Sequence, residues 1–149
     1  MSKYDVHFQP TQPGYNQGQK VFTFGFTAAL KVTGFQSLVN RWLKIFFTPR
    51  GSDPLDLTSG TSFANMVGGN YSGYAELQSE LIMSIEDTND QIRQQDLRRM
   101  GPADEQLQAA SIQRLSLSEA GSHVEVWVRI QNLAGTTLVV HLMDLATRQ

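Results

Sequence analysis

Apolar residues at Phe35, Leu38, Val39, Trp42, Leu43 and Phe46 recur every three or four positions. That spacing predicts one buried stripe on a helix of 3.6-residue period. Gly34 precedes the stripe and Pro49 ends it, because proline lacks the N–H for the next helical bond and restrains Thr48 before it. The following Thr48-Pro-Arg-Gly-Ser-Asp-Pro reads as a rigid polar elbow, in which Arg50-Gly51-Ser52-Asp53 is either an interaction knob or a turn whose Asp53 caps the next segment. Thr61 or Ser62 can then cap a short helix with Phe63, Met66 and Val67 inward, stopped by Gly68-Gly69. These glycines do not form a phosphate loop: they follow a helix, and no Gly-Lys-Ser/Thr comes after them. Tyr71 to Met100 predicts one long helix, with Tyr74, Leu77, Leu81, Ile85, Thr88 and Ile92 on a single face. Its acids lie in the middle and Arg93, Arg98 and Arg99 near the end, as the helix dipole favours. The stripe turns polar after Ile92, so the last two turns are expected to project or to meet a partner. Gly101-Pro102 stops the helix.

Beyond a turn or helical link at Asp104–Ala110, the period changes to two. Ser111–Ser118 carries Ile112, then Leu115 and Leu117, a change of phase that indicates a bulge. Glu119-Ala-Gly-Ser is a turn. His123–Gln131 alternates strictly, with Val124, Val126, Val128 and Ile130 on one face and Glu125, Trp127 and Arg129 on the other. Asn132–Gly135 is a four-residue loop, and Thr136–Leu145 returns. With Gln131 opposite Thr136, Val126 faces His141 and Trp127 faces Val140. One face then gathers Val139, His141 and Met143 with the valines, and the other joins Leu138, Val140 and Leu142 to Trp127. That hairpin is apolar on one side and half apolar on the other, and its final strand is an edge open to a strand of another chain. Earlier in the chain, Phe22, Phe24 and Phe26 alternate with Thr23 and Gly25 as a strand within Val21–Val32; Ala28–Val32 either extends it or opens the next helix. Residues 1–20 are rich in Gln, Pro, Gly and Asn. They form an irregular arm, flexible or ordered on a neighbouring subunit. The expected fold is α+β: about three helices packed on a small antiparallel sheet ending in a C-terminal β-hairpin (about 122–145), with an N-terminal extended arm (1–20) before a single domain (21–149).

Composition narrows the function. With 149 residues the chain can bury roughly two-thirds of its unfolded surface. Apolar residues make up 40% and charged residues 17%, a light charge density that suits a subunit covered by partners. A formal charge of −2 offers no basic field for nucleic acid. The absence of cysteine excludes disulfides, thiol chemistry and zinc–thiolate sites. The N-terminus has no basic start followed by an apolar run, so no signal peptide is expected, and no stretch of about 18 apolar residues exists to span a membrane. His7 lies in the arm, and the register above points His123 and His141 to opposite faces, so no metal or cofactor is assigned. A glycosidase would need two acids flanking a cleft, one with a raised pKa; the candidates are Asp53, Asp56, Glu76, Glu80, Glu86 and Asp87, most of them on a solvated helix face. No Ser–His–Asp elbow is present. No catalytic residue is assigned, which leaves binding and assembly as the primary reading and an acid–base hydrolase as the alternative.

The stretch from Phe35 to Leu57 resembles the signature of the baseplate-wedge, or sheath-initiator, family of contractile phage tails, to which type VI secretion and tailocin subunits are related. The matching residues are Phe47, Thr48, Arg50, Gly51, Asp53, Pro54 and Gly60, with Ser52 where the family usually has Glu. The resemblance extends from about Phe35 to Leu145 in its order of elements. Where the family tends to show Glu-Pro-Arg after the long helix, this chain has Gly101-Pro102-Ala103. The resemblance implies a structural, non-enzymatic subunit of a virion tail baseplate, assembled in the host cytoplasm. Its partners would be baseplate wedge proteins and the tail sheath protein, with the tail tube or hub as a further contact. Some members carry a lysozyme label, which is the source of the hydrolase alternative. On this reading Val124, Val126, Trp127, Val128, Ile130, Leu138, Val139, Val140 and Leu142 form a sheath-docking hairpin. Trp42, Phe46, Phe47, Thr48, Arg50 and Asp53 face the wedge.

Overall fold

The computed structural model describes residues 7–9, 23–25, 33–63, 73–117 and 123–146. Two short strands, β1 (His7–Gln9) and β2 (Thr23–Gly25), pair antiparallel with Phe8 opposite Phe24. The alternating phenylalanine segment therefore supplies a strand at Thr23–Gly25; Phe22, Phe26 and Ala28–Val32 lie outside the described residues. The arm expected to be irregular contributes that strand's partner.

Helix α1 (Phe35–Phe47) buries the predicted stripe: Leu38, Val39, Trp42, Leu43 and Phe46 are buried and Phe35 is half-buried. Its start is set by Gly34, at φ 66°, a conformation that side chains other than glycine's resist. The Gly34 N–H donates to Glu105 Oε1 at 2.9 Å. Its end is set by Pro49: Thr48 is already extended, and its N–H closes the last turn on the carbonyls of Lys44 and Ile45. The described residues hold two α-helices rather than the expected three. Phe63 is buried, and Met66 and Val67 of the expected short helix lie outside the described residues.

Helix α2 (Tyr74–Arg99) carries Leu77, Leu81, Ile85, Thr88 and Ile92 inward as predicted, whereas Tyr74 is largely exposed. The end of the helix that was expected to project after Ile92 is mostly exposed, with one buried residue. Asp96 extends the buried face by one more turn, and Leu97 to Met100 are exposed. The helix ends with Met100 in the left-handed region, its N–H donating to the Asp96 carbonyl, immediately before Gly101-Pro102. A 3-10 turn (Ala103–Glu105) follows.

The link expected over Asp104–Ala110 is largely strand. Strand β3 spans Leu107–Leu117, β4 His123–Asn132 and β5 Thr137–Ala146, in an antiparallel sheet with β4 central. Strand β3 carries two bulges, which leave Gln108 and Gln113 as extra residues. Each bulge repairs the side-chain phase. Leu107 and Ala110 share the inner face across the first, and Ile112 and Leu115 across the second. The irregular spacing read from Ile112 to Leu115 is this second bulge. Val124, Val126, Val128 and Ile130 of β4 are each at most 1% exposed and pack with Trp42, Phe46 and the leucines of both helices.

The hairpin register differs by one residue from the expected one. Gln131 stands opposite Thr137, Val128 opposite Val140, and Trp127 opposite His141. The cause is the loop. Asn132 donates its N–H to the Thr136 carbonyl (3.0 Å) and accepts from Gly135 N–H on its own carbonyl (3.1 Å). Gly135 sits at φ 86°. This is a three-residue loop, with its glycine in the left-handed position, rather than a four-residue one. The Asn132 side chain locks it, accepting the Thr136 N–H at 2.7 Å and donating to the Asp104 carbonyl at 3.0 Å. A one-residue slip exchanges faces. Val140 and Leu142 therefore join the core, and Val139 and His141 take the outer face with Trp127. The sheet is not half apolar on its outer side, as expected. Trp127 is covered by the Arg114 guanidinium, 4.9 Å from the ring centroid, and by the His141 ring stacked at 4.2 Å.

Helices and sheet meet at a buried ion pair. Arg41 Nη2 lies 2.9 Å from Asp96 Oδ1, each side chain 9% exposed. Asp96 Oδ2 accepts the Leu107 N–H at 2.8 Å, and Arg41 also donates to the Glu105 carbonyl. One carboxylate thus ties α1, α2 and the start of β3. Arg41→Ala leaves that carboxylate buried without its cation and should cost about 3–5 kcal/mol in urea denaturation. Replacing both partners with apolar residues, Arg41→Met with Asp96→Leu, removes the orphaned charge but leaves the Leu107 N–H and the Glu105 carbonyl without these partners, so it should recover only part of the loss.

Candidate functional site

Two surface features follow from this scaffold: the elbow after α1 and the free edge of the sheet. The elbow is held at its base. Thr61 N–H donates to the Thr48 carbonyl (2.9 Å), Arg50 N–H donates to the Thr61 carbonyl (3.0 Å), and Pro49 pairs with Thr61 as a parallel bridge. Gly60 fits between them at φ 97°, where an added Cβ would collide with the Thr48 carbonyl. Gln91 of α2 clamps Gly60 from the other side, its amide donating to the Gly60 carbonyl and accepting the Gly60 N–H, both at 2.9 Å. The loop between is built from Asx turns: Asp53 accepts the Leu55 N–H at 2.9 Å, and Asp56 accepts the Thr58 N–H at 3.1 Å and its hydroxyl at 2.6 Å. Arg50 reaches back to pair with Asp87 on α2.

Of the six residues expected to face a wedge partner, Trp42 and Phe46 do not reach the surface. Both are fully buried and stack at 4.9 Å, and the Trp42 indole donates to Asn89 Oδ1 at 3.0 Å. An apolar stripe by itself looks the same whether it faces a core or a partner. Phe47, 43% exposed, lies edge-on to Phe46 and Phe63 and marks where that aromatic cluster meets solvent. Thr48 and Asp53 are half-buried and Arg50 is exposed, so Phe47, Thr48, Arg50 and Asp53 share the elbow surface.

The residues expected to dock a sheath strand divide in the same way. Val124, Val126, Val128, Ile130, Val140 and Leu142 are core and offer no side chain to a partner. Trp127 and Val139 are half-buried on the outer face, and Leu138 is 41% exposed beside the loop. What remains open on β5 is its backbone edge: among the described residues β5 pairs with β4 alone.

The six candidate acids divide between the elbow (Asp53, Asp56) and α2 (Glu76, Glu80, Glu86, Asp87). Asp53 and Asp56 line one shallow groove of about 550 Å³ with Lys44, Arg98 and Arg99. Asp56 is exposed there, and the Thr58 hydroxyl and N–H hold its carboxyl below the ordinary value of 3.8. That direction is opposite to what a general acid needs. Asp87 is paired with Arg50, and Glu76 and Glu86 are exposed. Among the described residues no three His, Asp or Glu side chains converge as a metal site. His141 pairs with Trp127 and lies 3.9 Å from Glu125; the side chains of His7 and His123 lie outside the described residues.

Three polar residues that matter were not singled out from the sequence. Asn89 donates to the Ala110 carbonyl at 2.9 Å while accepting from Trp42, and Gln91 and Asp96 hold the elbow and the sheet. Asn89 and Asp96 continue the spacing of the Ile85–Ile92 stripe. A polar residue on a buried stripe is the available signal for a cross-element hydrogen bond.

Comparison with known proteins finds no match: no family model, no curated protein and no solved structure matches this chain.

Two predictions follow from the elbow. Thr58→Val should move the Asp56 titration midpoint upward, toward 3.8, by carboxyl carbon NMR. Because the folded value is the lower one, the stabilising contact is complete above the unfolded value and is lost as pH falls through the folded value. Arg50→Ala should change stability by less than about 1 kcal/mol, since the pair with Asp87 is half-exposed. A larger loss in thermal denaturation would make Arg50 a structural strut rather than a surface group.

Proposed function

We propose that this chain is a structural baseplate subunit of a contractile injection machine. In this role it links the wedge to the first sheath ring, through addition of a sheath strand to the edge of β5. The observation that carries the reading is the asymmetry between the two sheet edges. Strand β3 is interrupted by bulges at Gln108 and Gln113, the kind of irregularity that discourages pairing. Strand β5 runs unbulged from Thr137 to Leu142 and bears no Lys, Arg, Asp, Glu or Pro over that length. Solitary soluble domains guard an edge of this kind; a subunit that receives a strand leaves it open.

The resemblance supplies the identity of the partner, and the chemistry of the edge supplies the means. Backbone pairing at about 0.5–1.5 kcal/mol net per hydrogen bond is modest at one subunit. Repeated around a ring, it holds a sheath firmly. The elbow surface of Phe47, Thr48, Arg50 and Asp53 is the wedge-facing part of this reading, with Trp42 and Phe46 as the core beneath it. No catalytic step is assigned.

The test is co-sedimentation with the sheath subunit of the same particle, comparing wild type with Leu138→Lys. Leu138 is exposed, so the lysine is tolerated by the fold while guarding the edge as isolated sheets do. Binding by wild type and weakened binding by Leu138→Lys is the expected result. Equal binding would move the docking site off β5. No binding by either would remove the sheath-initiator reading.

A further inference from the structure

The hairpin loop determines which backbone groups of β5 are free. In an antiparallel ladder, residues opposite one another alternate between pairs that exchange hydrogen bonds and pairs that do not. Asn132 donates to the Thr136 carbonyl, so that pair is of the bonded kind. Counting along the register, Gln131 and Thr137 are not bonded to each other, Ile130 and Leu138 are, and the alternation continues to Val126 and Leu142. Leu138, Val140 and Leu142 therefore direct their N–H and C=O groups toward β4. Thr137, Val139 and His141 direct theirs away from it. Beyond Leu142 the pattern breaks, because Met143 and Asp144 both stand opposite Glu125 before Leu145 meets Val124.

Resting on the strand-addition reading above, we infer that the docking site is the N–H and C=O groups of Thr137, Val139 and His141, and that its occupant is an extended segment of about six residues. The Gly135 loop bounds the site at one end and the bulge at Met143–Asp144 at the other. The occupant's inward side is apolar next to Leu138. That residue is 41% exposed, whereas its inward neighbours Val140 and Leu142 are 6% and 3% exposed, so the uncovered apolar surface is confined to the loop end. Specificity at the remaining positions comes from length and register rather than from a side-chain pocket.

Proline tests this directly, because it deletes one N–H and places its ring where an incoming strand must lie. At Val139 the deleted N–H is one that β4 does not use, so the fold is kept, as for edge prolines generally. Thr137→Pro, at the first residue of the strand, is a second variant with the same logic and less effect on β5. Near-ultraviolet circular dichroism of Trp42 and Trp127 verifies folding of each. Sheath binding by co-sedimentation should fall about tenfold or more in either variant. Hydrogen exchange in the wild-type chain should be slow at Leu138, Val140 and Leu142 and fast at Thr137, Val139 and His141. The fast set should become protected when the sheath subunit is added. If wild type binds without that protection, or folded Val139→Pro and Thr137→Pro both bind as wild type does, the assigned groups are wrong and the assembly role stands. If wild type does not bind the sheath subunit at all, both readings fall together.

Discussion

The Asp96 carboxylate sits where three elements must agree. One oxygen holds the Arg41 guanidinium of α1, the other holds the Leu107 N–H that opens β3, and its own backbone carbonyl closes the turn at Met100. Glu105 completes the junction from the other side. Its carbonyl accepts from Arg41, and its carboxylate accepts the Gly34 N–H that begins α1. A buried pair of this kind contributes little net stability compared with apolar residues of equal volume, because desolvation offsets most of the attraction. Breaking it is costly, however, since each partner is then left charged in the interior. The pair therefore acts more on geometry than on stability: it sets where the sheet starts relative to both helices.

Everything on the sheet follows from that starting point. Leu107 is pinned, Gln106 accepts the Leu133 N–H on its carbonyl, and Asn132 reaches the Asp104 carbonyl. The hairpin loop is thereby tied to the same junction as the helix ends. The two β3 bulges then bring Leu107, Ala110, Ile112 and Leu115 to one face despite their uneven spacing. The inner face closes over Trp42 and Phe46. The outer face is finished by the Arg114–Trp127–His141 stack, whose three members occupy adjacent strands in register. The pairing capacity of the sheet lies at its edges, and among the described residues β5 offers the regular one.

The elbow is a second rigid feature, and it is rigid for a different reason. Its ends are joined by main-chain hydrogen bonds through Thr48, Arg50 and Thr61, and Gly60, which has no room for a Cβ, is gripped by the Gln91 amide. Little of its stability comes from buried apolar area: Leu55 and Leu57 inside the loop are 95% and 66% exposed. Backbone closure allows these side chains to stand outward without loosening the loop. A surface built this way can be recognised by a partner without first being ordered, which keeps the entropic cost of association low.

Periodicity alone determined the α+β class, the extents of α1 and α2 to within three residues, the bulge near Gln113 and the alternation of β4. Each is a local property, set by side-chain spacing and by Gly34, Pro49 and Gly101-Pro102 as punctuation. Tertiary structure decided the rest. Whether Trp42 and Phe46 face a core or a partner depends on what Asn89 and the sheet place over them, and a stripe carries no record of its cover. The β5 register depended on whether the loop held three residues or four. The Asn132 side chain and its bond to Asp104, 28 residues away, settled that, and a one-residue difference exchanged every side chain between faces. The burial of Asp96 required a cation from α1, 55 residues earlier. Contacts at such separations arise from chain topology, which spacing along the sequence does not encode.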